Sequence, residues 1–168
     1  MRRLALIIGV VALTLPGVAG ALRAGPGDGT LAVDNAKGSI QLRVKGGIIG
    51  RFDQGGTIDV YDPIAGDGAA PVIKGCEFKE QVGPRHWECS SSQAEVRFRL
   101  IGGLYKVTIE ANGIDLSIVG RGSAVLDGSG FDDQTGRYSV NGGSYQPFPH
   151  ISTKLSVSTP AQATVGSK

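Results

Sequence analysis

Apolar and charged residues alternate with a period of two along much of this chain, and glycines punctuate the alternation. The clearest stretch runs from residue 94 to 127. Val96, Phe98, Leu100, Tyr105, Val107 and Ile109 form one set, and Glu95, Arg97, Arg99, Lys106, Thr108 and Glu110 form the other. Period-two sorting predicts strands with one buried side. Gly102-Gly103 suits a two-residue type I′ turn, because glycine tolerates positive φ at both positions. Folding there sets Val96 opposite Ile109, Phe98 opposite Val107 and Leu100 opposite Tyr105, and a one-residue slip would scramble the faces. Asn112-Gly113 is a second hairpin signal, setting Ile109 against Leu116 and Val107 against Ile118. Gly120-Arg121-Gly122 suits a three-residue loop that brings Ile118 to Ala124 and Leu116 to Leu126. The pattern predicts a four-stranded meander with one apolar face.

An earlier segment can cover that face. Ile40, Leu42 and Val44 alternate with Gln41, Arg43 and Lys45, and Gly46-Gly47, Ile48, Gly50, Phe52, Gly55-Gly56, Ile58 and Val60 follow. The same order of strands and glycine turns recurs from Gly103 to Asp127, displaced by about 65 residues, as a faint internal repeat. Two antiparallel meanders packed face to face predict an all-β, two-layer β-sandwich or flattened barrel. A β-solenoid is the other arrangement, and no short tandem period supports it.

Between the halves lies Cys76-Glu-Phe-Lys-Glu-Gln-Val-Gly-Pro-Arg-His-Trp-Glu-Cys89. Folded at 81–84, this segment sets Cys76 against Cys89, Phe78 against Trp87 and Glu80 against Arg85. Directly opposed strand positions suit a disulfide. The other side of the same hairpin carries Glu77 against Glu88 and Lys79 against His86. Opposed like charges are unfavourable. That side is either well solvated or a place where Glu77, Glu88 and His86 could gather round a cation.

Arg2-Arg3, an apolar run from Leu4 to Leu15, Pro16-Gly17 and Ala19-Gly20-Ala21 form the three parts of a secretory signal cut after Ala21. The apolar run is too short to span a bilayer, which takes roughly 20 residues. The expected organisation is a signal at 1–21, one all-β domain at 22–157 and a polar tail at 158–168. Export removes Arg2 and Arg3 from the 17 basic residues and none of the 15 acidic ones, leaving 15 of each sign. A net basic footprint for nucleic acid is therefore not expected, nor is stable membrane insertion once the signal is gone. An exported chain with two cysteines also favours the Cys76–Cys89 bond over a reactive thiol pair.

The string RFRLIGGLYKVTIEANGIDLSIVGRGSAVLDG, followed by YSVNGGSYQPFP, resembles a set of uncharacterised secreted, glycine-rich all-β proteins from high-GC bacteria. They share GIDLS-x-VGRG and a late Y-S-x-NGG-x-Y-x-P pattern. The resemblance covers roughly residues 29–148. It implies a fold and brings no activity, cofactor or catalytic residue.

Candidate chemistry is sparse. A nucleophile–base pair would have to use His86, near Ser90-Ser91-Ser92, or His150, near Ser152 and Tyr145. There is no G-x-S-x-G elbow and no S-x-x-K. Asp127, Asp132 and Asp133 lie in a glycine-rich loop that partly matches a calcium-binding turn, in one copy where such turns come in tandem. Tyr145 and Phe148, in Tyr-Gln-Pro-Phe-Pro, are the best candidates for aromatic contact with a glycan or protein. The expected function is a non-catalytic exported or cell-envelope binding or structural module without a cofactor, its partner an extracellular or envelope protein or glycan. A secreted hydrolase using His86 or His150, and a calcium-dependent extracellular module, are the alternatives.

Overall fold

A computed structural model describes residues 24–130 and 135–159. The segment read as a signal, Asp132, Asp133 and all but the first two residues of the tail lie outside the described residues. The strands are β1 (Gly29–Phe52), β2 (Gly56–Tyr61), β3 (Val72–Lys74), β4 (Phe78–Gly83), β5 (His86–Ser91), β6 (Val96–Asp127), β7 (Arg137–Val140), β8 (Gln146–Pro147) and β9 (Thr153–Val157). All belong to one antiparallel sheet that does not close into a barrel.

The all-β class stands, but the three hairpins expected between 94 and 127 do not form. That region is a single 32-residue strand. It pairs with β1 in one ladder from Gly29↔Gly120 to Phe52↔Val96. A second ladder, from Ser39↔Asp127 to Arg51↔Asp115, joins the other edge of β1 to the far half of β6. The two long strands thus make a ribbon that coils until its edges meet. Leu42 is bonded between Val107 and Ala124, and Ile48 between Leu100 and Ile118.

The physical reason for the misreading lies in side-chain parity. A two-residue turn shifts the buried set from even to odd positions, and so does a β-bulge with its one extra residue. Val96, Phe98 and Leu100 give way to Tyr105, Val107 and Ile109 across Gly102, whose φ is +88°. The set returns to even numbers at Ile114 across Gly113, φ +66°. Both glycines bend a strand that continues.

The approach of the two long strands needs glycine for space at Gly122. At Gly122, φ +155°, a Cβ would collide with the Arg43 carbonyl and the Val44 Cα on the crossing strand. Coiling lets one sheet bury its own face, since the described residues include no helix to cover it. Ile40, Val44, Ile48, Tyr105, Ile109, Ile118 and Leu126 are all fully buried there. Each such side chain is worth about 1.5–3 kcal/mol.

Smaller strands extend the ribbon. β2 pairs with β6 on one side and β5 on the other, and β4 pairs with β5. β7 adds to the start of β1, and β9 to β6 at Gly122–Leu126. Val140 and Gly143 close a turn through Asn141-Gly142, and Leu155 to Val157 form the end of β9. The loop between β2 and β3 folds over the Gly102 bulge. Tyr105 donates its hydroxyl to Ala69 O at 2.7 Å and Ile101 O at 3.1 Å, and Leu104 N donates to the Asp67 carboxylate.

Cys76 and Cys89 lie at disulfide-bonding distance, with Cα atoms 5.5 Å apart. The hairpin register differs from the expected one. Phe78 pairs with Ser90, Glu80 with Glu88 and Gly83 with His86. The chain reverses at Pro84-Arg85, with Arg85 in the left-handed region at φ 56°. The expected Phe78–Trp87 and Glu80–Arg85 pairs are therefore absent. Phe78 is 58% exposed, while Trp87 packs against the core and opposes Val60. Arg85 donates instead to the carbonyls of Asp62 and Pro63.

Candidate functional site

A concavity of about 700 Å³ lies where the ribbon overlaps itself. Two rows of side chains cross it from strand to strand. One runs Val72, Arg99, Ile49, Ser117; the other runs Lys74, Arg97, Arg51, Asp115. These neighbours exist only because β1 is bonded on both edges. Ile49 faces Arg99 on one side and Ser117 on the other. Tyr145, 51% exposed, completes the lining with Ala32 and Asp34 from the start of β1.

The charges there are unevenly matched. Arg51 donates through Nε and Nη2 to Asp115 and through Nη1 to Glu95 at 2.9 Å. Arg97 also bonds Glu95. Together Arg51 and Arg97 hold the Glu95 carboxyl below the usual carboxylate range. Arg137 pairs with Asp34 and lies 4.9 Å from the centre of the Tyr145 ring. Arg99 and Lys74, diagonal neighbours across the β3–β6 pair, have no side-chain hydrogen-bond or ion-pair partner among the described residues. The cleft therefore joins apolar surface to two uncommitted cations.

The expected site residues divide. Tyr145 belongs to the cleft. Phe148 is only 2% exposed, its ring against Gly38, and is a core residue. The burial follows from its backbone N–H bonding Gly136 O, which turns the Pro-rich segment inward. Asp127 accepts from the Ser129 N–H at 2.9 Å, and the Ser129 hydroxyl together with this N–H holds its pKa low. This is an ordinary turn cap, and Asp132 and Asp133 lie outside the described residues.

His150 is exposed and makes no bond among the described residues. His86 Nε2 sits 2.5 Å from Asp59 Oδ2, and its ring centre lies 5.5 Å from that of Tyr61. A hydroxyl needed to complete a nucleophile–base arrangement does not bond His86 among the described residues. Glu77 is not beside His86, because the hairpin register is shifted. Its carboxylate instead accepts from the Ser92 backbone N–H and hydroxyl, which lowers its pKa. The sequence pattern missed Asp59, since only the pairing of β2 with β5 brings it near His86. It also missed the cleft, whose rows join residues from four separate stretches of the chain.

No family model, curated protein or solved structure matches this chain.

Proposed function

We propose that this protein is an exported, non-catalytic binding module whose cleft takes a ligand with an apolar body and an anionic head. The observation that carries this reading is the pair Arg99 and Lys74, unpartnered cations at one end of a largely apolar concavity. An aliphatic or ring-containing body would lie along Ile49 and Val72 towards Tyr145. A carboxylate or phosphate would meet the Arg99 guanidinium, which can bind it bidentately. A concave, mostly apolar site with few polar groups is the usual form of a small-ligand pocket. Export accords with the signal pattern at 1–21, the Cys76–Cys89 bond and the lack of any helix long and apolar enough to cross a membrane among the described residues.

Calorimetric titration with dodecanoate, beside the uncharged dodecanol, tests the proposal. Dodecanoate is expected to bind one to one and the alcohol at least tenfold more weakly. Arg99→Glu with Lys74→Glu should abolish binding of the acid without changing the fold by circular dichroism. Equal binding of acid and alcohol, or acid binding that survives the double substitution, would reject it.

A further inference from the structure

A second cluster lies away from the cleft, on the solvent face of β2, β5 and β4. Asp59, Glu88 and Glu80 are consecutive cross-strand partners, so three carboxylates stand in one row on one face. Directly opposed like charges destabilise a sheet. No lysine or arginine forms an ion pair with any of the three among the described residues. The nearby cations are committed elsewhere: Lys106 lies 5.6 Å from the Tyr61 ring centre, and Arg85 bonds two backbone carbonyls. One residue offers compensation. His86, two positions from Glu88 on β5, puts Nε2 against Asp59 Oδ2 at 2.5 Å. Donor atoms of Asp59, His86 and Glu88 all lie within 4.8 Å of one another.

We propose that Asp59, His86 and Glu88 form a zinc site. Imidazole nitrogen and carboxylate oxygen both ligate zinc, and three such ligands would leave a fourth position to water. Calcium takes six to eight oxygens, and magnesium keeps most of its water. Ligands about 2.0–2.1 Å from a shared zinc stand roughly 3.3 Å apart in a tetrahedron. The His86–Asp59 pair must therefore open slightly and Glu88 must swing in, movements that half-exposed side chains on a fixed ladder can make. The backbone beneath is held firmly. β2 is bonded on both edges, and Cys89, next to Glu88, is tied to Cys76. A bound dication would also remove the repulsion along the carboxylate row, so metal binding should raise stability.

Titration of the untagged, metal-free protein with zinc chloride, followed by calorimetry and thermal melting, tests the assignment. One equivalent is expected to bind with micromolar or better affinity and to raise the Tm, while calcium chloride does neither. Glu88→Gln, an exposed change that leaves the sheet intact, should weaken zinc binding at least tenfold. His86→Gln should do so more severely, and His150→Ala should leave it unchanged. Absence of saturable zinc binding, equal response to calcium, or unchanged affinity in Glu88→Gln and His86→Gln would overturn the proposal.

Discussion

The coiled ribbon of β1 and β6 and the hairpin of β4 and β5 are both antiparallel pairs, yet they are held by different means. In the ribbon, backbone groups of 39–51 are bonded on both edges and alternate side chains reach zero exposure. In the hairpin, every residue of β4 up to Val82 is exposed, and Phe78 and Val82 present apolar surface to water. Little but the ladder to β5 and the Cys76–Cys89 bond fixes it. Burial sustains the first and a covalent clip the second. Both candidate sites use residues anchored to the buried region, although the zinc cluster also reaches the edge of the clipped one.

Substitutions can break this contrast. The largest effect is expected at the bend of the ribbon. Gly122→Val places a side chain against the Arg43 carbonyl at a backbone φ that β-branched residues avoid. The ribbon should fail to close, costing about 3 kcal/mol or more and leaving little folded protein by near-ultraviolet circular dichroism. Gly66→Ala, which meets open space at a positive φ of +75°, should cost only about 1 kcal/mol.

A smaller and more local effect is expected in the hairpin. Replacing both cysteines by alanine removes a bond that closes a 14-residue loop, worth roughly 3 kcal/mol on the chain-entropy model. If that loop opens independently of the ribbon, most of the loss stays local. Hydrogen exchange should then show amides of β4 and the outer edge of β5 losing protection while those of β1 and β6 keep it. Uniform loss of protection would show that the two regions fold as one unit.

The smallest effect concerns the loop over the Gly102 bulge. Tyr105→Phe removes the hydroxyl that two carbonyls share and should cost about 1 kcal/mol in urea unfolding at neutral pH. Burial pushes the Tyr105 phenol above its ordinary pKa, so the folded protein holds this proton more tightly than the unfolded chain. Its contribution is complete below about pH 10, the ordinary tyrosine value, and is lost as pH rises through the raised one. Wild type should therefore lose its advantage over Tyr105→Phe in strong alkali. At the acid end the sign reverses. Glu95, held low by Arg51 and Arg97, stabilises the fold above the ordinary glutamate pKa and ceases to do so as pH falls through its lowered one. Glu95→Gln should flatten the acid limb of the stability curve.

Which residues face inward was legible in the chain, because alternation reports the local pleat. Val96, Leu100, Tyr105, Ile109, Leu116 and Leu126 are all buried as their positions imply. Which strands are neighbours was not. Gly102 and Gly113 shift parity equally well as turns or as bulges, and the choice depends on a partner strand more than 50 residues away. The closeness of Cys76 and Cys89 was legible from two cysteines flanking one expected hairpin, whereas the hairpin register was not. A left-handed Arg85 next to Pro84 moved the reversal and took Glu77 away from His86, while the pairing of β2 with β5 brought Asp59 there. The cleft was invisible for the same reason as the ribbon: no local pattern announces that Ile49 has Arg99 on one flank and Ser117 on the other.

Everything about the cleft descends from β1 being bonded on two edges. Through-space proton correlations in the labelled protein test this directly. Backbone cross-peaks from Leu42 to both Val107 and Ala124, with Ile48 likewise joined to Leu100 and Ile118, are the expected result. Cross-peaks joining Phe98 to Val107 and Val107 to Ile118 would instead restore two of the local hairpins, and the cleft would have to be abandoned with the ribbon.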